Sequence, residues 1–259
     1  AINLSAWGEA ATYAPSKNGG QRKGTGDTLD HVGTTRTSSG FTTRARVVSG
    51  TITVSGSNIT ITAENKSTFV AALLLVAGSG TGAGAGGLVF NLMDSLSEAS
   101  LNVGTKLTAA SAAVKVKADN TTKMWATIAA IAASGAGAGA GTVALNIGDT
   151  SSHAAITGGA GAIFTAKSLD VSSLSGLDVY ALALSIAASG SGAGAGSFAV
   201  NAIKNETTAS VRGQSESNRM AMTLTGQATV ATTNTSTLVA GTVGVAASGD
   251  GAGGISVSV

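Results

Sequence analysis

The chain has 259 residues, of which 37 are glycine, one is proline and none is cysteine, and its formal net charge is +2. Glycine without proline or a Gly-x-y period excludes collagen. An apolar fraction of 43% is too high for a disordered chain, and the lack of cysteine removes disulfides and thiolate metal sites. So small a net charge implies no polyanion partner, hence no nucleic acid.

The chain opens on AINLSAWGEAATY, residues 1–13, which reads as the end of a repeat carried over from a preceding unit. Residues 14–46 come next. They hold Lys17, Arg22, Lys23, Arg36, Arg44 and Arg46 against Asp27 and Asp30, together with the only proline, Pro15. With its turn-rich NGGQRKGTGD stretch, this segment is expected to be a surface excursion inserted into a repeat framework. Arg22, Lys23, Arg36, Arg44 and Arg46 are its candidate ligand-binding residues, suited to an anionic glycan or a partner protein, and the plain alternative is a solvated loop. Asp27 and Asp30 are the candidates for a calcium site, on one imperfect match to a Gly/Asp repeat.

Three full repeats are expected at 47–101, 102–156 and 157–211, with an incomplete fourth at 212–259. Their landmarks are Asn91, Asn146 and Asn201, 55 residues apart. A Ser-Gly pair opening a glycine-alanine run precedes each Asn, and Ala-x-aliphatic follows it. Asn3, followed by Ala11 and Tyr13, is the matching landmark of the split copy, so reading from Val259 into Ala1 restores one repeat. Within each repeat a period-2 stretch (Ile59 and Ile61, Val114 and Val116, Leu169 and Val171) reads as a half-buried strand. An apolar segment follows, such as FVAALLLVA at residues 69–77 or MWATIAAIAA at 124–133. As a strand it would be covered on both sides; a buried Ala-rich helix is the rival. The longest such run is too short for a membrane span.

The Gly-Ala alternation then puts alanines on one face and bare backbone on the other, open to a closely approaching layer. The residues beside each Asn (Phe90 and Leu92, Leu145 and Ile147, Val200 and Ala202, Ile2 and Leu4) are expected to face the core, and the Asn the other way. Stacked in register, Asn3, Asn91, Asn146 and Asn201 would form a ladder of side-chain amides.

Other chemistry finds little purchase. The Gly-rich runs lack the Lys-Ser/Thr of a P-loop and the context of a dinucleotide fingerprint. With His31 and His153 alone and no cysteine, no transition-metal site is expected. Asp94, Asp149 and Asn205 are spread one per copy, so no carboxylate cluster forms. Thr51, Thr53, Thr60 and Thr62 make two TxT pairs that the next copy does not continue, which argues against an ice-binding array. Asn-x-Ser/Thr sequons, among them those at Asn58, Asn65, Asn120, Asn205 and Asn234, arise readily by chance in so Thr-rich a chain. No catalytic residue, metal or cofactor is assigned.

The run from the Ala-rich strand through GSGAGAG to SFAVNAIKNETTASV resembles repeats of giant bacterial exoproteins and filamentous-haemagglutinin-like surface adhesins. The resemblance covers roughly residues 47–259 and 1–13. It implies a β-solenoid stalk that is secreted and displayed at the cell surface. The expectation is an all-β, repeat-built solenoid with about 55-residue repeats and one basic loop insertion. Its function would be structural, as a unit of an extracellular fibre or adhesin stalk joined head-to-tail to further copies. The alternatives are a binding module for a surface glycan or host protein, acting through the basic segment, and a polysaccharide-active β-helix enzyme.

Overall fold

The computed structural model describes the backbone of residues 2–15, 19–23, 28–54, 56–215 and 219–259, and the side chains of 42–47, 50–54, 56–215 and 219–259. Among these residues there are strands and no helix, and hence no helix long and apolar enough to cross a membrane. The strands are β1 (Ile2–Pro15), β2 (Gly19–Lys23), β3 (Thr28–Thr53), β4 (Ile59–Ser79), β5 (Gly82–Ser134), β6 (Gly137–Gly158), β7 (Ile163–Ser189), β8 (Gly192–Gly213), β9 (Ala221–Leu224), β10 (Ala228–Ser248) and β11 (Ala252–Ser258). They form one open sheet, parallel throughout except for the antiparallel pair β2–β3. This architecture is compatible with a β-solenoid.

Matching text pairs with matching text. Gly82 lies beside Gly137, Asn91 beside Asn146 and Leu101 beside Ile156. The same register carries Asn146 to Asn201, and Ile59 to Val114 and on to Leu169. Contacts across the interior show the course of each turn. Asn65 meets Ser95, and Ser97 reaches the carbonyl of Ala63. Residues 59–79 and 82–103 are therefore two facing arms, closed at a tip formed by Ser79, Gly80 and Thr81. The tips stack so tightly that a Cβ on Gly135 would run into the Gly80 carbonyl, and one on Gly190 into that of Gly135. At the opposite corner the chain turns through Gly56 and Gly161, at φ of 74° and 68°, where a side chain would be strained.

Alternation along the arms divides inside from outside. The interior has two apolar zones. Near the corner it is filled by large side chains, among them Ile59, Ile61, Leu101, Leu107, Ile156 and Phe164. Near the tip alanine predominates, including Ala71, Ala83, Ala126, Ala130, Ala138 and Ala144, with Leu73, Leu75, Val89 and Ile128 among them. Between them lies a short band of Phe69, Met93, Met124, Leu177 and Val179, beside buried Asn and Ser.

The apolar segments are strands, as expected, and the rival helix is absent there, because β4, β5 and β7 run through them. Three expectations from the sequence change here. The outer side of these apolar segments is not covered: Leu74 is 65% exposed and Val76 55%. The landmark Asn points inward, with Asn91 and Asn146 fully buried, while Leu92 and Ile147 lie 40% and 42% exposed. Assigning the aliphatic neighbours to the core weighs hydrophobicity alone. An amide whose N–H groups are hydrogen-bonded is stable inside, and the inward row it shares consists mainly of small residues and hydroxyls, such as Ala144, Thr142 and Thr150 around Asn146.

The third change concerns the beginning of the chain. β1 lies in register with β4, so Ile2 and Leu4 stand beside Ile59 and Ile61, and Asn3 pairs with Thr60. Asn3 therefore belongs to a different column from Asn91, whose neighbour on that side is Thr37. Residues 28–49 are no loop insertion. They continue the sheet beside Gly82–Val103. The alternation shared by INL and ITI decides the register over the looser Asn-to-Ala spacing, since one slip would exchange inner and outer faces.

Candidate functional site

The most organised chemistry inside the described chain is a polar spine along the stacked turns. Asn91 donates from Nδ2 to Asn146 Oδ1 at 2.7 Å and to the Trp125 carbonyl at 3.0 Å. Asn146 repeats this with Asn201 Oδ1 at 2.8 Å and the Tyr180 carbonyl at 2.9 Å. Asn201 donates to the Val239 carbonyl at 2.8 Å. An amide suits the role because it carries both a donor and an acceptor, diverging within one plane. Each coil is thereby bonded to the next both through backbone and through side chain. Asn91 Oδ1 has no partner among the described residues.

A second spine runs through residues that sequence reasoning read only as chance sequons. Asn65 and Asn120 are nearly inaccessible. Asn65 Nδ2 donates to Ser95 Oγ at 2.7 Å and to Asn120 Oδ1 at 3.3 Å. Ser95 Oγ donates to Asn120 Oδ1 at 2.9 Å. Farther along, Thr150 and Ser175 donate to Asn205 Oδ1, and Asn205 donates to Asn234 Oδ1 at 2.8 Å. In the folded chain Asn65 and Asn120 are closed to any glycan. Their 55-residue separation is the same as that of the landmark Asn and was the available signal. A third cluster, Thr142, Ser185 and Ser197, links hydroxyls at 2.9–3.2 Å within the alanine-lined zone. Apart from Asn91 Oδ1, the three clusters engage their polar groups with one another and with backbone carbonyls.

Among the described residues, the outside is charged away from the tip, except for Asp250 in the last turn. Lys115 stands 3.5 Å from Asp170 and Lys123 4.0 Å from Asp178, across neighbouring turns. Lys117 pairs with Asp119, and Lys66 lies 3.1 Å from Glu64. Lys204 is 3.4 Å from Glu206 and 3.5 Å from Asp149. Its hydrogen bond to Glu206, then the charge of Asp149, holds its ammonium above the ordinary lysine value. Such exposed pairs set partner order more than they stabilise. A shallow cleft lined by Lys115, Ser168, Asp170 and Gln227 sits at the corner, and its cation already faces a carboxylate.

The basic segment is only partly in view. Arg44 and Arg46 are exposed, and both engage Glu98, at 2.9 and 3.4 Å. Arg22 lies opposite Asp30 in the β2–β3 pair, with Lys23 opposite Leu29. Arg36 stands beside Phe90 in the register. The side chains of Arg22, Lys23, Arg36 and Asp30, and the whole of Asp27, lie outside the described residues. Among the described residues no group of three or more His, Cys, Asp or Glu could hold a metal ion. Trp125 and Tyr180 stack at 4.7 Å with planes 37° apart, so each covers a face of the other.

No family model, no curated protein and no solved structure matches this chain. The likeness to exoprotein repeats therefore stands on the repeat text alone.

Proposed function

We propose that the chain is a structural unit of an extracellular fibre or adhesin stalk: a β-solenoid of about 55-residue repeats that joins end to end with further copies. The observation that carries this reading is the unbroken in-register pairing of Gly82–Val103 with Gly137–Gly158 and of that arm with Gly192–Gly213, reinforced by side-chain amides pointing along the same axis. Backbone bonds running along the axis spread a pulling force over many equivalent contacts, and each coil is stabilised by its neighbours. β10 and β11 each pair on one side, with β7 and β8, and their other edge invites a further strand. Placement at the cell surface follows from the stalk reading and from the exoprotein resemblance.

The test is electron microscopy and fibre diffraction of the concentrated protein. Filaments with a meridional spacing of about 4.8 Å along their length are expected. Isolated particles at every concentration would overturn the reading.

A further inference from the structure

The tip half of each coil carries its apolar residues on the outside as well as the inside. Residues 67–93, 124–148 and 179–203 contain no charged side chain. On one outer face, large aliphatic side chains stand up in two adjacent columns. Leu74 leads one. Val76, Ile131 and Ile186 form the other. On the opposite outer face the glycines of the GAGAG runs leave a trough. A Cβ built on Gly139, Gly141 or Gly194 meets nothing within 4 Å. Beyond the trough rises a wall that includes Leu92, Ile147 and Phe198, 39–42% exposed. One face is a ridge and the other a groove, at a similar height above the tip.

We propose that this half of the coil is an interaction surface for a second copy of the chain, with the Val76–Ile131–Ile186 ridge of one copy seated in the Gly139–Gly194 trough of the next. Three observations select a copy over other occupants. Both copies carry the same axial repeat, so ridge and trough match along the whole contact. Neither face bears a charge, so like copies do not repel. The tip is polar and exposed at Gly80, Thr81, Gly135, Gly190 and Ser191, with Asp250 in the last turn. Tip-first entry into a lipid layer would bury those groups in hydrocarbon, whereas a stacked copy leaves them in water.

The ridge face spans eight residues by four turns, about 500 Å² from strand rise and spacing. A stable interface takes about 800 Å² from each partner, so the contact is modest here and grows with every added turn. Because ridge and trough are different surfaces, the contact is head-to-tail and does not close on itself, which gives sheets or bundles rather than discrete dimers. The pairing rests on the stacked-coil reading but not on axial joining.

Sedimentation velocity of three proteins decides it. The unaltered chain should form larger species as concentration rises, and keep them in 1 M salt. Gly139→Leu/Gly194→Leu fills the trough, Val76→Lys/Ile131→Lys charges the ridge, and each should lose lateral association, leaving nothing wider than a single axial filament, while keeping the parent circular dichroism. Mixed together, the two variants should recover lateral pairs and no wider bundle, since each retains one intact face. Single-width filaments from the trough variant would show axial joining surviving without lateral contact. Lateral pairs without filaments would leave this proposal standing while the fibre reading fails. Self-association unchanged in either variant, a monomeric parent at all concentrations, or phosphatidylcholine vesicles capturing the trough variant as well as the parent while no copies associate, would overturn it.

Discussion

The corner and tip halves of each coil are built inversely. At the corner, bulky residues such as Phe164, Ile156 and Leu107 fill the interior, and lysines paired with carboxylates face the water. At the tip, alanines predominate inside, with a few larger residues such as Leu75 and Ile128, and further leucine, valine and isoleucine face out. The contrast shows that interior volume and outer hydrophobicity are set independently in a parallel stack. Backbone bonds along the axis hold both halves to one strand spacing, while inward side chains alone decide how far apart the arms stand.

The largest break in this comparison should come at the corner. Phe164 is fully buried, and Phe164→Ala should cost about 3–5 kcal/mol by leaving a void among large neighbours, seen as a lower urea midpoint. Next is the ladder between the halves. Asn146→Leu strands the Asn91 donor and the Asn201 acceptor, at about 1–3 kcal/mol for each buried group left unpaired. Asn146→Gln measured alongside would separate lost polarity from altered shape.

The tip should respond to added rather than removed volume. Ala130 is fully buried where the arms approach, so Ala130→Leu should destabilise by about 1–3 kcal/mol through overpacking; an unchanged melting temperature would refute a tight alanine-lined gap. Two glycines only a few residues apart then sharpen the picture. Gly135→Ala drives a Cβ into the Gly80 carbonyl, whereas Gly139→Ala meets open space. The first should lower stability, and the second should raise it by about 0.4–1 kcal/mol by restricting the unfolded chain.

The smallest effect lies on the charged surface. Lys204 binds its proton more tightly when folded than its ordinary value of 10.5. Its contribution is therefore complete below that pH and is lost as pH rises through the folded value. Lys204→Met should flatten this alkaline decline in a thermal melt series and leave neutral pH nearly unchanged.

Much was legible in the residues themselves. Period-2 alternation marks strands without reference to partners, and a constant spacing such as Asn91 to Asn146 marks equivalent positions, because repeats of equal length stack most simply in register. The Asn65–Asn120 spacing carried the same message. It was hidden because a sequon reads each Asn singly. The register of residues 2–15 was misread for a related reason: Asn3 resembles a landmark, but alternation beside Ile59 and Ile61 involves many side chains at once and outweighs one polar match.

The sequence by itself determined strand, repeat and the separation of Gly from Ala, since each follows from local geometry with a period of two. Only the tertiary structure decided which of the two faces points inward. Alternation is symmetrical under exchange of faces, and hydrophobicity favours Phe90 and Leu92, beside Asn91, over the amide. The choice falls the other way because carbonyls of the facing arm and amides of adjacent turns meet the Asn inside. No single strand contains those partners. The same choice leaves Leu74 and Val76 on the outside, and there the chain presents the surface that a second copy would cover.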